Sequence, residues 1–199
     1  MMQAEVKHAK SALLTAKENL RAAEANLAFA RSSAANKRVA IAKDVIAWLN
    51  TKKIRATPGE YLAVTKGVEN PDGDMVGVQQ CNACALGAVF ACAVDRVKTI
   101  DLTAALDGWS GTYDDNSMRS MLKPYFTTEQ LVMIENAFER RIVEPLNGDE
   151  PNYGDGPEYL VGNPRSIKAL NFNKGVRSPK ERLTRIMKNI IRNGGEFRP

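Results

Sequence analysis

Val6, Leu13, Leu20 and Leu27 stand seven residues apart, and Ala9, Ala16, Ala23 and Ala30 follow each of them by three. The chain therefore opens with a four-heptad seam of alternating large and small apolar residues, the pattern of a coiled coil. Lys10, Lys17, Glu24 and Arg31 come directly after the alanines and keep the seam narrow. This predicts one long helix from about Gln3 to Ser32. A single narrow stripe gains most of its stability from a second surface, because isolated helices are marginal in water. Leu13, Leu20, Leu27, Ala16 and Ala23 are accordingly the expected partner-binding residues. Ser32, Ser33 and Asn36 mark a break or kink, after which Val39, Ala42, Ile46 and Leu49, with Trp48 beside them, resume a helical stripe. The amino-terminal quarter is then a bent helix or an antiparallel hairpin.

Further along, Thr57-Pro58-Gly59-Glu60 has helix-start chemistry and predicts a short helix through Val64. Asn70-Pro71-Asp72-Gly73-Asp74 is a turn, and Met75–Val78 reads as a brief strand. Cys81–Lys98 is expected to be the most buried helix, since Ala85 through Cys92 are apolar or small on every side of the axis. Gly87, Ala88 and Ala91 would let a crossing helix approach it closely. Ser117–Lys123 reads as a short helix stopped by Pro124. Thr127 with Gln130 forms a capping box, Phe126 staples to Leu131, and the helix behind them runs to about Arg141, burying Leu131, Ile134 and Phe138. Asn147–Gly156 has loop composition. Ser178, Pro179 and Glu181 start a last helix whose stripe is Leu183, Ile186, Met187, Ile190 and Ile191, and Gly194 ends it. The expected fold is mostly α, with little or no sheet: a heptad-patterned arm over residues 1–36 and a helical globular domain over 37–199.

Charge divides the chain in three. Met1–Arg55 carries eleven Lys/Arg against four Asp/Glu, Ala56–Pro164 seven against seventeen, and Arg165–Pro199 ten against two. Basic ends around an acidic middle suit either polyanion binding or docking of the ends on an acidic centre, in the same copy or another. Lys180, Arg182, Arg185, Lys188 and Arg192 lie away from the apolar stripe of the last helix and are the candidate nucleic-acid contacts. Only Phe172 and Phe197 offer a base something to stack on. The first thirty residues lack a compact apolar block and contain Glu5, Glu18 and Glu24, which argues against a leader peptide. Ala83–Val94 is too short an apolar run to span a bilayer. Three cysteines fit a reducing compartment, so the cytoplasm is the expected location.

Catalytic signatures are weak throughout. Cys81-Asn82-Ala83-Cys84 has thiol-redox spacing, but a βαβ setting is not evident around it. For a zinc site the three cysteines leave only His8 or a carboxylate as the fourth ligand, and Cys92 lies two helical turns beyond Cys84, too far to share one ion, so buried small hydrophobes explain all three more simply. His8 is the lone histidine and lies among charged neighbours in the arm, which disfavours histidine-dependent chemistry. Asp114-Asp115 and the acids Asp149, Glu150, Asp155 and Glu158 do not match a calcium loop. No phosphate-binding glycine loop is present. Neither a metal nor a cofactor is expected.

Three stretches carry a resemblance: Cys81–Phe90, Phe126–Glu139 and Arg182–Phe197, the last reading Arg-Leu-Thr-Arg-Ile-Met-Lys-Asn-Ile-Ile-Arg-Asn-Gly-Gly-Glu-Phe. Together they resemble a group of small bacteriophage and bacterial proteins over roughly Val39–Phe197. The resemblance implies an α-rich domain and a phage origin, with host cytoplasm or virion as the setting, and it brings no activity and no site residues. The arm lies outside it. The expected function is binding without catalysis: self-association, or docking on a larger host or viral assembly through the arm and the basic surfaces. A nucleic-acid-associated protein is the alternative, and a thiol redox protein a third.

Overall fold

The structure is a computed structural model that describes residues 2–73, 75–97, 115–140 and 164–199. It divides into two compact units, Met1–Ser33 and Ala34–Pro199. The first unit is one helix, α1 (Met2–Arg31), about 45 Å long at 1.5 Å per residue. Ser32 stops it, since both its backbone N–H (3.1 Å) and its hydroxyl (2.8 Å) donate to the Phe29 carbonyl. These bonds satisfy a carbonyl that the ending helix would otherwise leave open.

The second unit is mostly helical, with α2 (Ala34–Asn50), α3 (Ala85–Val97), α4 (Asp115–Leu122), α5 (Thr128–Glu139), α6 (Pro164–Phe172) and α7 (Pro179–Arg192). It also holds a three-stranded sheet, β1 (Ile54–Ala56), β2 (Leu62–Glu69) and β3 (Met75–Ala83), in the order β1-β3-β2. The mostly α expectation holds, and the little sheet there is forms one small three-stranded unit. β3 is its centre, parallel to β1 with Ile54 opposite Cys81, and antiparallel to β2 with Leu62 opposite Ala83. Pairing on both edges carries β3 past Gln79 and Gln80 to Ala83, well beyond the brief strand that local propensity suggested. The buried helix consequently starts at Ala85 instead of Cys81.

The expected helix after Thr57 is also replaced, by a turn and the start of β2. Gly59 has a φ of +74°, Thr57 N–H donates to the Ala83 carbonyl (2.9 Å), and Cys84 N–H donates to the Glu60 carbonyl. These contacts are distant in sequence, and they outweigh a local capping signal. Asn70–Gly73 makes the expected turn, with Asp72 N–H on the Asn70 side chain and Gly73 N–H on the Asn70 carbonyl, each at 3.0 Å.

α3 is the hub. Every residue from Ala85 to Val94 is buried, and α2, α4, α5 and all three strands pack on it. The close approach at Gly87 comes from the turn before β2: a Cβ there would fall 1.4 Å from the Tyr61 carbonyl oxygen. That is a strand entry, where a crossing helix was expected. α2 contributes Ile41, Val45 and Leu49, α5 Leu131, Ile134 and Phe138, and α7 Leu183, Ile186, Met187 and Ile190, all buried. Burying such a side chain is worth about 1.5–3 kcal/mol relative to leaving it in water.

Capping sets the ends of α5 and α7. Thr127 Oγ1 accepts from Gln130 N–H (3.2 Å), and Ser178 Oγ accepts from Glu181 N–H (3.3 Å). At the other end of α5 three carbonyls find donors: Asn136 from Arg140 N–H, Ala137 from the Asn173 amide (2.9 Å), and Phe138 from Arg182 Nη1 (2.6 Å). The polypeptide after α7 is held by side-chain amides. Gln130 both donates to and accepts from the Phe197 backbone (3.3 and 2.7 Å), and Asn189 does the same to Arg198 (2.8 and 2.9 Å). Arg38 reaches the carbonyls of Gly195 and Tyr125. Phe197, fully buried, meets Phe172 edge-on at 5.1 Å. The outer surface of α6 and α7 therefore rests on a fastened base.

Candidate functional site

Two surfaces carry the residues singled out from the sequence, one in each unit. In the first, Leu13, Leu20 and Leu27 are 56, 60 and 51% exposed, and Val6 is 51% exposed. Ala16 and Ala23, between them on the same face, are exposed as well. Leu14, 61% exposed, adjoins the ridge; its place one residue off the heptad hid it from the periodicity argument. The described residues of this unit form a single helix, so no second helix covers the ridge within the unit. His8, Lys10, Lys17 and Glu24 are exposed beside it. Isolated exposed leucines are ordinary on proteins, whereas several in register along one helix form a patch that marks an interaction surface.

The second surface is the outer side of α6, α7 and the turn between them. Lys168, Lys174, Arg177, Lys180, Arg185, Lys188 and Arg192 are all exposed, and among the described residues none of them makes an ion pair. Four of the five residues named from the sequence, Lys180, Arg185, Lys188 and Arg192, thus lie where they were expected. Arg182 does not. It is 6% exposed, donates to the Phe138 carbonyl and sits with its guanidinium carbon 5.2 Å from the Phe138 ring. Its long stem packs among apolar neighbours while its head closes the end of α5, so it belongs to the core. Burial, followed by repulsion from Arg140, lowers its pKa from the ordinary value.

Phe172 completes this surface. It is half-buried at the end of α6, and the guanidinium carbon of Arg185 lies 5.9 Å from its ring centroid. A cation held over an aromatic face is attracted by the ring's quadrupole and loses some of its freedom. Beside Lys168 a cleft of about 330 Å³ is lined by Gln130, Met133, Arg165, Phe197 and Arg198. Arg165 faces Glu129 at 3.2 Å and Arg198 faces Glu196 at 2.5 Å, so Lys168 is the cation of this cleft that contributes to the unpaired set.

The Cys-x-x-C pair is divided between two elements, with Cys81 on β3 and Cys84 at the junction of β3 and α3. All three cysteines are buried. Burial pushes the Cys81 thiol up to about 11 and the Cys84 thiol up to about 12, and raises that of Cys92 well above its ordinary value. An exchanging thiol needs the opposite, a thiolate near neutral pH and access to solvent. Cys84 Sγ instead accepts from Gly87 N–H (3.5 Å).

One polar cluster gave no signal in the sequence. Glu135 and Glu139, one turn apart on α5, face the turn before β2. Glu139 accepts from Gly59 N–H (3.0 Å), Glu135 accepts from the Tyr61 hydroxyl (3.4 Å), and Glu135 also pairs with Arg119 of α4. These partners occupy one another and fasten α4 and the turn to α5. Asp44 of α2 and Arg96 of α3 pair through two hydrogen bonds in the same manner. Among the described residues no group of histidine, cysteine and carboxylate side chains could hold a metal, and no helix is long and apolar enough to cross a membrane. Asp114, the Asn147–Gly156 segment and Glu158 lie outside the described residues, and so does any structural reading of them.

No protein-family model, curated protein or solved structure matches this chain.

Proposed function

We propose that this chain is a non-enzymatic binding protein of phage type that associates with a second copy of itself through α1. The exposed ridge of Val6, Leu13, Leu20 and Leu27 carries this reading. An antiparallel pair of α1 helices, centred near Glu18, gives each layer of the seam one large and one small side chain. Val6 meets Ala30 of the second copy, Ala9 meets Leu27, Leu13 meets Ala23, and Ala16 meets Leu20. The layers are then nearly equal in volume, differing by one methylene where Val6 replaces leucine, and the helices approach evenly along their length. A parallel pair would set leucine on leucine and alanine on alanine, which requires wide and narrow layers in alternation.

Charge at the edges agrees with the antiparallel pairing at both ends. Lys10 lies beside Glu24 of the second copy, and Glu24 beside its Lys10; at the centre Lys17 faces its counterpart and opposes the pairing mildly. Burying the seam from both copies, with the flanking lysine stems, removes on the order of 1,000 Å² from water, near the lower bound for a specific interface. Sedimentation equilibrium of the full chain and of the Leu20→Asp chain tests the reading. The full chain is expected at twice the 21.9 kDa of one copy and the variant at 21.9 kDa. A full chain that sediments as a single copy at high micromolar concentration contradicts it.

A further inference from the structure

We infer that the outer face of α6 and α7 is a nucleic-acid contact that grips the phosphate backbone without reading sequence. Its core is a continuous line of five residues. Lys168 and Phe172 lie one turn apart on α6, Phe172 carries Arg185 over its ring at 5.9 Å, and Arg185, Lys188 and Arg192 follow at the i, i+3 and i+7 positions of α7. All four cations are exposed, and none is paired with a described carboxylate. Lys174, Arg177 and Lys180 flank the line near the start of α7, and Glu181 is the single acid on that helix.

From its helical spacings the line is about 20 Å long, the length of roughly six base pairs of duplex. One cation per helical turn suits a polymer that presents a negative charge at short regular intervals. A protein partner ordinarily requires an apolar centre with charges at the rim, and here cations run through the middle with a half-buried Phe172 as the sole ring. Sequence readout needs side chains fixed against base edges, and flexible lysines and arginines along one face supply phosphate contacts instead. The face lies in the second unit, and its action does not depend on pairing of α1.

Fluorescence anisotropy of a labelled 20-base-pair DNA of arbitrary sequence, titrated with the full chain, tests this. Four phosphate contacts give a slope near −4 in log affinity against log salt, a loss of roughly a few hundred-fold between 50 and 200 mM. Lys188→Gln is expected to reduce the slope by about 1. The triple change Arg185→Glu, Lys188→Glu and Arg192→Glu is expected to weaken binding at 50 mM salt by more than tenfold without altering thermal unfolding, and the Leu20→Asp chain is expected to keep the full slope. Absence of binding at 50 mM salt, binding unchanged by the triple variant and by Lys188→Gln, or tighter binding to polyglutamate or to vesicles of anionic phospholipid than to DNA would each overturn the inference.

Discussion

Gly87 is where the absence of a single atom fixes the docking of two elements. A methyl group there would fall 1.4 Å from the Tyr61 carbonyl oxygen, and that oxygen belongs to backbone held by the bond from Cys84 N–H to the Glu60 carbonyl and by that from Gly59 N–H to the Glu139 carboxylate. Gly87→Ala is expected to destabilise the second unit by about 3 kcal/mol or more, visible as a fall of roughly 10 °C in the unfolding midpoint; an unchanged midpoint would mean that the turn yields freely. The buried cysteines give a pH dependence of definite sign. Each thiol holds its proton in the folded chain to about 11 (Cys81) or about 12 (Cys84), against an ordinary value of 9.0. Between these values the unfolded chain binds fewer protons than the folded one, so stability is full below pH 9 and is lost as pH rises through the folded values. Unfolding midpoints measured from pH 8 to 11 are expected to fall, and to fall less steeply in Cys81→Ala. Arg182 shows how far a residue can be read from spacing. Positions 182, 186 and 189 share one side of α7, so an arginine at the edge of the stripe has an equal claim to solvent and to core. The open carbonyl of Phe138, distant in sequence, decided for the core.

At the scale of elements, legibility followed locality. The caps of α5 and α7 were visible because a threonine or serine and the residue three places on interact within one turn, and both bonds form. The burial of α3 was visible because ten consecutive small or apolar residues leave no polar face. β2 was hidden. Its strand state depends on the adjoining β3, whose full length was not read, and on two bonds from far along the chain, Cys84 N–H to the Glu60 carbonyl and Gly59 N–H to Glu139. The heptads of α1 were plain, and the helix they predicted is present from Met2 to Arg31. If the seam pairs antiparallel, Lys17 meets Lys17 at its centre. Lys17→Gln removes that repulsion and is expected to tighten self-association by a few tenths of a kcal/mol, about a twofold change in the dissociation constant measured by sedimentation. A loosened dimer would place Lys17 elsewhere.

Across the whole molecule, an apolar ridge on one unit and a basic face on the other suggest a division of labour. Each is exposed, one is built on α1 and the other on α6 and α7, and neither includes the polar clusters that lock α2 to α3 or α4 to α5. Pairing through α1 would double the number of basic faces in one particle, and two linked weak contacts hold a polymer far better than one. The sequence disclosed both surfaces by period and by charge, and it named Arg185, Lys188 and Arg192 of the basic line; the fold removed Arg182 and set Phe172 of α6 against Arg185. The central claim, that the α1 ridge is buried against an antiparallel second copy, is tested most directly by thiol trapping. Chains carrying Leu13→Cys and chains carrying Ala23→Cys are oxidised mildly, separately and as an equal mixture, while the native cysteines stay buried and protonated. The account predicts a covalent dimer in the mixture and little in either chain alone. Efficient cross-linking of the Leu13→Cys chain with itself, or no cross-link in the mixture, would contradict it.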